Sequence, residues 1–463
     1  MGLLGRNHQT PEERAASHLS ESSALSLLYL VSRQFHAICQ PILYHEYSLK
    51  PRPNDKYGSQ ILSLSSFVRT LILRRDLASL VKRVSISHLH QWIPNSRYSL
   101  ATQTALADAY DALCSYLGFR FAVDIQDRRR RDFVRQLLLF RDCVKVQHES
   151  FTSGLEKFLP SLFAGMLVLM PNLDSLALPL PGVHNTYRYR VMWEASGTQS
   201  ISVKHLTLGD VRSLGTVLAV TPHLESLNLR FFRGLFLSEG DGPVSMPNLR
   251  VLRLIACFVD PYHLEYILTS CGDRLETFVY TLFSQTHHRD EQQRDWHDFM
   301  VDDPALEIFS CFSLQQKRTL RHLHLDLREV DGHDFRLAGI RDFEALEDVF
   351  IRVHSWYPWW TGDVSHCMSL VALLLPNIKT LSIASNYEAD WSELVEQLVA
   401  LAESQKRTEP SLPFLRHINY DVPLQEGESE EIRAVLALSG IDFVRCKFVG
   451  APEFDGDRVG NVE

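Results

Sequence analysis

The sequence predicts an α/β fold, a solenoid of parallel strands and helices with a small helical module at its N-terminal end. Three observations predict it. One apolar spacing, clearest in Met246-Pro-Asn-Leu-Arg-Val-Leu-Arg-Leu254, recurs along most of the chain. Within each copy the period is two, so Leu252 and Leu254 share one strand face and Arg253 takes the other. Several copies follow runs of helical period, such as Asp260–Ser270 and Trp391–Leu401. No single strand-helix unit buries its own apolar face, whereas stacked copies cover one another.

Length and composition bound the reading. A chain of 463 residues holds two or three ordinary domains or one long repeat array with attachments. Its 45% hydrophobic and 22% charged residues are those of a globular protein. The net charge of −9 argues against a nucleic-acid binder, which carries a basic excess. The longest apolar run, Phe158 to Met170, contains Pro160 and is shorter than the roughly 18 residues of a membrane span. No membrane partner is expected. The N-terminus turns polar at once and has neither a signal-peptide core nor the myristoylation pattern. The eight cysteines are scattered, with no C-x-x-C pair. Free thiols in a reducing compartment, cytoplasm or nucleus, are therefore expected rather than zinc or disulfides.

Taken in order, residues 1 to about 17 are polar and expected to be disordered. Leu27, Leu28, Val31, Phe35 and Ile38 then recur at spacings of three and four, one face of an amphipathic helix. Pro41 is expected to stop it, with Ile42, Leu43 and Tyr44 opening a second short helix. The stretch Leu30-Val-Ser-Arg-Gln-Phe-His-Ala-Ile-Cys-Gln-Pro-Ile-Leu-Tyr-His45 resembles the C-terminal half of an F-box. It is similar to fungal F-box proteins in particular. That resemblance implies a module that docks onto Skp1 within a cullin-based ubiquitin ligase, through Leu28, Val31, Phe35, Ile38, Pro41 and Leu43. The family opens with Leu-Pro-x-Glu and an Ile-Leu-x-x-Leu helix. Here the polar stretch Thr10 to Ser22 stands in that place, which implies a degenerate or truncated first helix.

Residues 51–57 read as a linker. Ser66–Leu80 reads as a helix, and Val81–Ile86 as a first strand with Val84 and Ile86 inward. From about 100 to 165 the pattern is helical, through Leu106, Ala109, Leu113, Phe133 and Leu137. Asp127-Arg-Arg-Arg-Arg131 lies within it. The interleaved acids Asp124 and Asp132 read this run as a solvated face, and a localisation or nucleic-acid patch is the other reading.

From Pro171 the repeats run to the C-terminal region. Pro171–Leu178, Val203–Leu208, Pro222–Leu229, Pro247–Leu254 and Leu275–Tyr280 are followed by Leu320–Leu325, Leu346–Ile351, Pro376–Ile383 and Pro413–Tyr420. Intervals run from about 21 to 45 residues and cluster near 26. A strand plus a helix at that period resembles a leucine-rich repeat, here an irregular one without the family's Asn after the third Leu. Leu206/Leu208, Leu227/Leu229, Leu252/Leu254 and Leu323/Leu325 would form its inner layers. The charged Gln285–Asp295 reads as an inserted loop, and the acidic Glu426–Glu431 as surface or disordered. Ile441–Phe448 reads as a closing edge strand blunted by its charges. The expected organisation is a tail over 1–17, an F-box-like module over 18–50, and a connector with the first repeat strand over 51–165. The solenoid follows over 166–450, and a second tail over 451–463.

No G-x-S-x-G, H-E-x-x-H, P-loop or G-x-G-x-x-G occurs, so no enzyme chemistry, cofactor or metal is expected. His287 and His288 sit in the charged insert and read as solvated. His322 and His324 share a strand face without an evident third ligand and read as exposed strand histidines. Asp302 and Asp303 before Pro304 read as a helix cap. In leucine-rich repeats the face opposite the leucines lines the concave surface. Here it would carry Thr207, Asn228, Arg230, Arg253, His324, Asp326 and Arg352, a row that suits a partner with negative charge or is simply solvated. Trp356, Tyr357, Trp359 and Trp360 follow one strand, and Phe231, Phe232 and Phe236 another. Both sets either cap the core or form binding hot spots.

The expected function is a non-catalytic adaptor. The F-box-like helices would meet a Skp1-like protein of a cullin ligase, and the repeats would hold a protein substrate. The substrate face would include Asn228, Arg230, Arg253, His324, Asp326, Arg352, Trp356 and Trp359. The alternative is a repeat scaffold for protein interaction, without Skp1 binding.

Overall fold

The computed structural model describes residues 33–49, 57–86, 104–105, 108–109, 111–113, 115, 166, 169–183, 202–211, 218, 221–230, 245–257, 259, 261–281, 308–326, 337–352, 370–384, 392–406, 410–421, 424 and 426–446. The chain divides into two compact units, Met1–Lys204 with Pro452–Glu463, and His205–Ala451. The division falls inside the span expected for the solenoid, because the repeat strand at Ser175–Val183 belongs to the first unit.

In the first unit, helix α1 (Arg33–His45) runs straight into strand β1 (Glu46–Leu49). Helices α2 (Tyr57–Leu73) and α3 (Arg75–Ala78) follow, then β2 (Arg83–Ile86) and β3 (Ser175–Val183). The three strands pair in chain order, all parallel. The described positions between 104 and 115 are helical, as expected.

Three expectations are corrected here. Pro41 does not stop the first helix; it lies inside α1, which is one helix rather than two. Pro41 is exposed, so the hydrogen bond it removes lies on the solvent side, where its loss costs least. The first strand is β1, not Val81–Ile86. Its Glu46-Tyr47-Ser48-Leu49 alternates outward and inward but spans only two periods directly after a helix, too short to stand out in the sequence. The single helix expected at Ser66–Leu80 starts earlier and breaks at Arg74, whose backbone is non-helical (φ −125, ψ 82). There the Arg74 side chain donates to the Asp76 carboxylate from Nε at 3.0 Å and Nη2 at 2.7 Å, tying down the start of α3.

In the second unit nine strands pair in chain order, all parallel. They are β4 (His205–Val211), β5 (Ser226–Arg230), β6 (Val251–Ile255), β7 (Thr277–Thr281), β8 (His322–Asp326), β9 (Asp348–Arg352), β10 (Thr380–Ala384), β11 (His417–Asp421) and β12 (Asp442–Arg445). Between them lie α4 (Pro261–Ser270), α5 (Leu314–Thr319), α6 (Leu370–Leu373), α7 (Ser392–Gln405) and α8 (Glu426–Ala437). A chain-ordered parallel ladder with helical connections is an α/β fold compatible with a solenoid-like arrangement. The acidic stretch at Glu426, expected to be surface or disordered, is the helical first part of α8, with Gly427, Glu430 and Glu431 exposed. Ile432 and Leu436, beyond the acids, are buried and hold it down.

Every one of the nine repeat copies read from the sequence carries a strand. The register aligns the inner leucines rung by rung, with Leu206, Leu227, Leu252, Phe278, Leu323, Val349, Leu381, Ile418 and Phe443 in one row, all buried. Helices cover that face. Phe278 of β7 meets Phe312, just before α5, edge to face at 5.0 Å, and the Tyr420 hydroxyl of β11 bonds Ser429 of α8 at 2.5 Å. Burying each such side chain stabilises the fold by roughly 1.5–3 kcal/mol.

The motif before the strands has its own geometry. In Met170-Pro-Asn-Leu173, Met246-Pro-Asn-Leu249 and Leu375-Pro-Asn-Ile378 the last N–H donates to the first carbonyl, closing a tight turn with Pro preset for its second position. The Asn side chain then donates to a carbonyl one rung back. Asn172 reaches Ser79 at 2.9 Å, Asn248 reaches Pro222 at 3.4 Å and Asn377 reaches Glu344 at 2.8 Å.

Candidate functional site

Two surfaces carry the residues singled out by sequence. The first is α1. Its Cys39 is buried, which fixes the helix's rotation and turns Ile38 (62% exposed) and Ile42 (54% exposed) outward. Four residues apart, the two lie one above the other on a single helix face. Pro41 is exposed beside them, and Leu43 is half-buried. Beyond the helix, Tyr47 of β1 stacks on Phe67 of α2 with ring centroids 3.7 Å apart, and burial pushes its phenol up to about 12. Leu28, Val31 and the Phe35 side chain lie outside the described residues. Ile42 was missed by the sequence reading; its signal is its position one helical turn after Ile38.

The second surface is the strand face opposite the leucines. Its central row, in register, is Thr207, Asn228, Arg253, Val279, His324, Phe350, Ser382, Asn419 and Val444. A parallel row one step along holds Gly209, Arg230 and Ile255, and further on Thr281 and Asp326. The expectation of an open polar face is corrected here. Asn228 (9% exposed), Arg230 (8%) and Asp326 (1%) are buried, as are Val279, Thr281, Phe350 and Ser382. Rungs about 4.8 Å apart let neighbouring side chains shield one another, and parallel sheets tend to be covered on both faces. Arg253 and His324 keep part of their surface open. Of Arg352 only the backbone is described. Trp356, Trp359, Phe231, Phe232, Phe236, His287, His288, Asp302, Asp303 and the arginines at 128–131 lie outside the described residues.

Charge concentrates at the β5–β6 end. Burial lowers the pKa of the Arg230 guanidinium, with the neighbouring charge of Arg253 adding to it, and burial lowers that of Arg253. The end of β6 is held firmly. Ala256 adopts left-handed backbone (φ 51), uncommon for a residue with a Cβ. Its N–H donates to Thr281 Oγ1 at 2.7 Å, and the Cys257 N–H donates to the Thr281 carbonyl at 3.0 Å. Further along the row His324 stacks flat on Phe350 with centroids 3.8 Å apart. Phe350 carried no weight in the sequence reading, although strand periodicity puts it in register with His324.

His322 and His324 do not act together. His322 pairs with the Asp348 carboxylate through Nδ1 at 2.5 Å, while His324 is engaged by Phe350. Among the described residues no group of three or more His, Cys, Asp or Glu side chains is placed to hold a metal ion. Among the described residues, too, no helix is long and apolar enough to cross a membrane. No protein-family model matches the chain, and no curated protein matches it.

Proposed function

We propose that this chain is a non-catalytic adaptor built from an F-box-like helical module and an irregular leucine-rich-repeat solenoid. In this reading the helical module docks a Skp1-like protein of a cullin ubiquitin ligase, and the repeats present a protein substrate. The observation that carries it is the outward pair Ile38 and Ile42 on α1, an apolar strip exposed on a helix whose other side is anchored by Cys39. Two isoleucines one turn apart give the apolar strip with which an amphipathic helix enters a partner's groove. The same segment carries the F-box resemblance, and the chain-ordered parallel strands that follow support the repeat half of the reading.

The test is co-purification with a Skp1-like protein. Ile38→Asp with Ile42→Asp is expected to weaken the complex about 100-fold, the loss of two buried isoleucine side chains. Both side chains are exposed in the free chain, so its melting temperature stays unchanged. A wild-type chain that retains no Skp1-like protein overturns the reading. A second reading, a repeat scaffold on which α1 serves only as a cap, draws support from the burial of Cys39 and predicts that outcome.

A further inference from the structure

We propose that the exposed turn before β11, with Phe414 and Arg416, is a docking point for an acidic segment of a partner protein, one that sets Asp or Glu beside an apolar residue. The inference rests on the reading that the repeats hold a protein, and it names the surface and the chemistry of that contact. Two rules of the repeat break here together. The first is charge. The residue just before each of β5 to β10 alternates in sign, as Glu225, Arg250, Glu276, Arg321, Glu347 and Lys379. An acid is due before β11, and Arg416 stands there instead. Its N–H donates to the Lys379 carbonyl at 2.9 Å, and its carbonyl accepts from the Asp442 N–H at 2.8 Å. The position before β12 is the buried Ile441, so neither neighbouring rung sets an acid at this position beside Arg416. Glu347 is taken by Lys379 at 2.6 Å and Arg321 at 3.7 Å, and the Asp442 carboxylate lies 3.3 Å from His417 Nδ1. Among the described residues no carboxylate pairs with Arg416.

The second rule is the turn. Leu412-Pro-Phe-Leu415 closes as the other copies do, with the Leu415 N–H donating to the Leu412 carbonyl at 3.1 Å. Asn172, Asn248 and Asn377 follow the Pro in three copies and donate to a carbonyl one rung back. Here that position holds Phe414, 50% exposed. His223 also stands in for the Asn, but Glu225 beside it keeps the alternation. Among the copies with Pro in the turn, both rules fail together at β11, and broken local rules mark functional positions. Arg416 Nη1 donates to the carbonyls of Pro413 at 3.1 Å and Leu415 at 3.0 Å, the residues on either side of Phe414. The guanidinium is thereby held on the turn that displays the ring. Its Nε and Nη2 have no acceptor among the described residues, which leaves one edge of the fork open for a carboxylate. Arginine and exposed aromatic side chains are the anchors of protein interfaces. Two cations on a chain of net charge −9 suit one acidic side chain with an apolar neighbour better than a nucleic-acid backbone, which needs a basic stripe.

The experiment pans a phage library of random dodecapeptides on the immobilised full chain and measures the best binder by fluorescence anisotropy. The selected peptides are expected to share Asp or Glu next to an apolar residue. Arg416→Glu is expected to weaken the best binder roughly 30-fold and Phe414→Ala roughly tenfold, as losses at hot-spot positions. Arg318→Glu, at an exposed cation paired with Glu344 at 3.9 Å, is expected to leave binding unchanged. Arg416→Glu restores the alternation beside Lys379, so it should melt no lower than wild type. The proposal is overturned if no peptide is selected, if the selected peptides lack the acid, or if either turn variant binds like wild type. It is also overturned if Arg318→Glu weakens binding as much as Arg416→Glu, if Arg416→Glu melts well below wild type, or if a thymidine dodecanucleotide binds more tightly than the peptide. No Skp1-like protein enters this assay, so failure of the adaptor reading leaves its outcome untouched.

Discussion

Gln316 joins two helices through one buried side chain. It completes a capping box at the start of α5, where Ser313 Oγ accepts from the Gln316 N–H at 3.2 Å and Gln316 Oε1 accepts from the Ser313 N–H at 3.1 Å. Its Nε2 donates to the carbonyls of Leu268 at 2.6 Å and Gly272 at 3.1 Å, at the end of α4. Gly272 sits there with φ +62, a conformation that suits glycine and ends the helix. One amide thus satisfies donors and acceptors at two helix termini. Gln316→Ala removes the bonds to the Ser313 N–H and to the Leu268 and Gly272 carbonyls, of which Leu268 still accepts from the Cys271 N–H at 3.0 Å, and the expected loss is about 1–3 kcal/mol. Gln316→Glu should cost nearly as much, because a carboxylate keeps the acceptor for Ser313 but has no N–H for the two carbonyls. Urea denaturation checks both. If the glutamate variant is as stable as wild type, the two carbonyl contacts contribute little. The sequence displayed the cap only as Ser313 followed by Gln316; the longer reach depends on packing between residues 44 and 48 positions apart.

At the scale of elements, the position just before strands β5 to β10 forms a column of alternating charge. In the second unit it runs Glu225, Arg250, Glu276, Arg321, Glu347, Lys379. Backbone hydrogen bonds link the column, since the N–H at each position after the first donates to the carbonyl of the one before. Side chains pair along it, Arg250 with Glu276 at 3.6 Å, Arg321 with Glu347 at 3.7 Å and Lys379 with Glu347 at 2.6 Å. Exposed pairs of this kind contribute only about 0–1 kcal/mol each, and a shifted register would break all of them together. The next position carries a titrating pair, His322 and Asp348. The hydrogen bond to Asp348 raises the His322 pKa above 6.5 against the opposing effect of burial. For Asp348 burial acts upward, and the hydrogen bonds from His322 and Thr380 outweigh it and hold the carboxyl below 3.8. The histidine's contribution is therefore complete below pH 6.5 and is lost as pH rises through the folded value. The aspartate's contribution is present above pH 3.8 and is lost as pH falls through its own, lower folded value. With the His322 side chain 47% exposed, solvent screening limits the effect to roughly 0.5 kcal/mol. Wild type should thus lose stability relative to His322→Gln between pH 6 and pH 8, as measured by urea midpoints. Parallel pH profiles for the two proteins would refute the assignment.

At the scale of the molecule, what the sequence made legible is the local rule of the repeat. Leu252 and Leu254 identify themselves because a strand of period two must bury one face, and Met246-Pro-Asn-Leu249 marks the turn that precedes it. The face bearing Asn228 and Arg253 was legible as polar, but its burial was not, because the shielding comes from neighbouring rungs that lie 21 to 26 residues away along the chain. The strand β1 escaped notice for another reason, since its alternation lasts only four residues and follows a helix without a break. A ladder in which each strand pairs only with its chain neighbours makes stability a sum of rung and nearest-neighbour terms. Position in the ladder should then decide how far damage spreads. Phe443 of β12 is 4% exposed and stacks on Tyr420 at 4.1 Å, on the last described rung; Leu252 is fully buried in the middle of β6. Truncation to alanine at either site removes roughly 2–5 kcal/mol of local packing. Phe443→Ala is expected to speed amide hydrogen exchange in β11 and β12 alone, because opening the last rung breaks one interface. Leu252→Ala weakens two interfaces at once, so β5, β6 and β7 should lose protection together. Hydrogen exchange read by mass spectrometry separates the two patterns. If Phe443→Ala instead lowers protection evenly from β4 to β12, the second unit unfolds as one cooperative block, and the nearest-neighbour account of its stability fails.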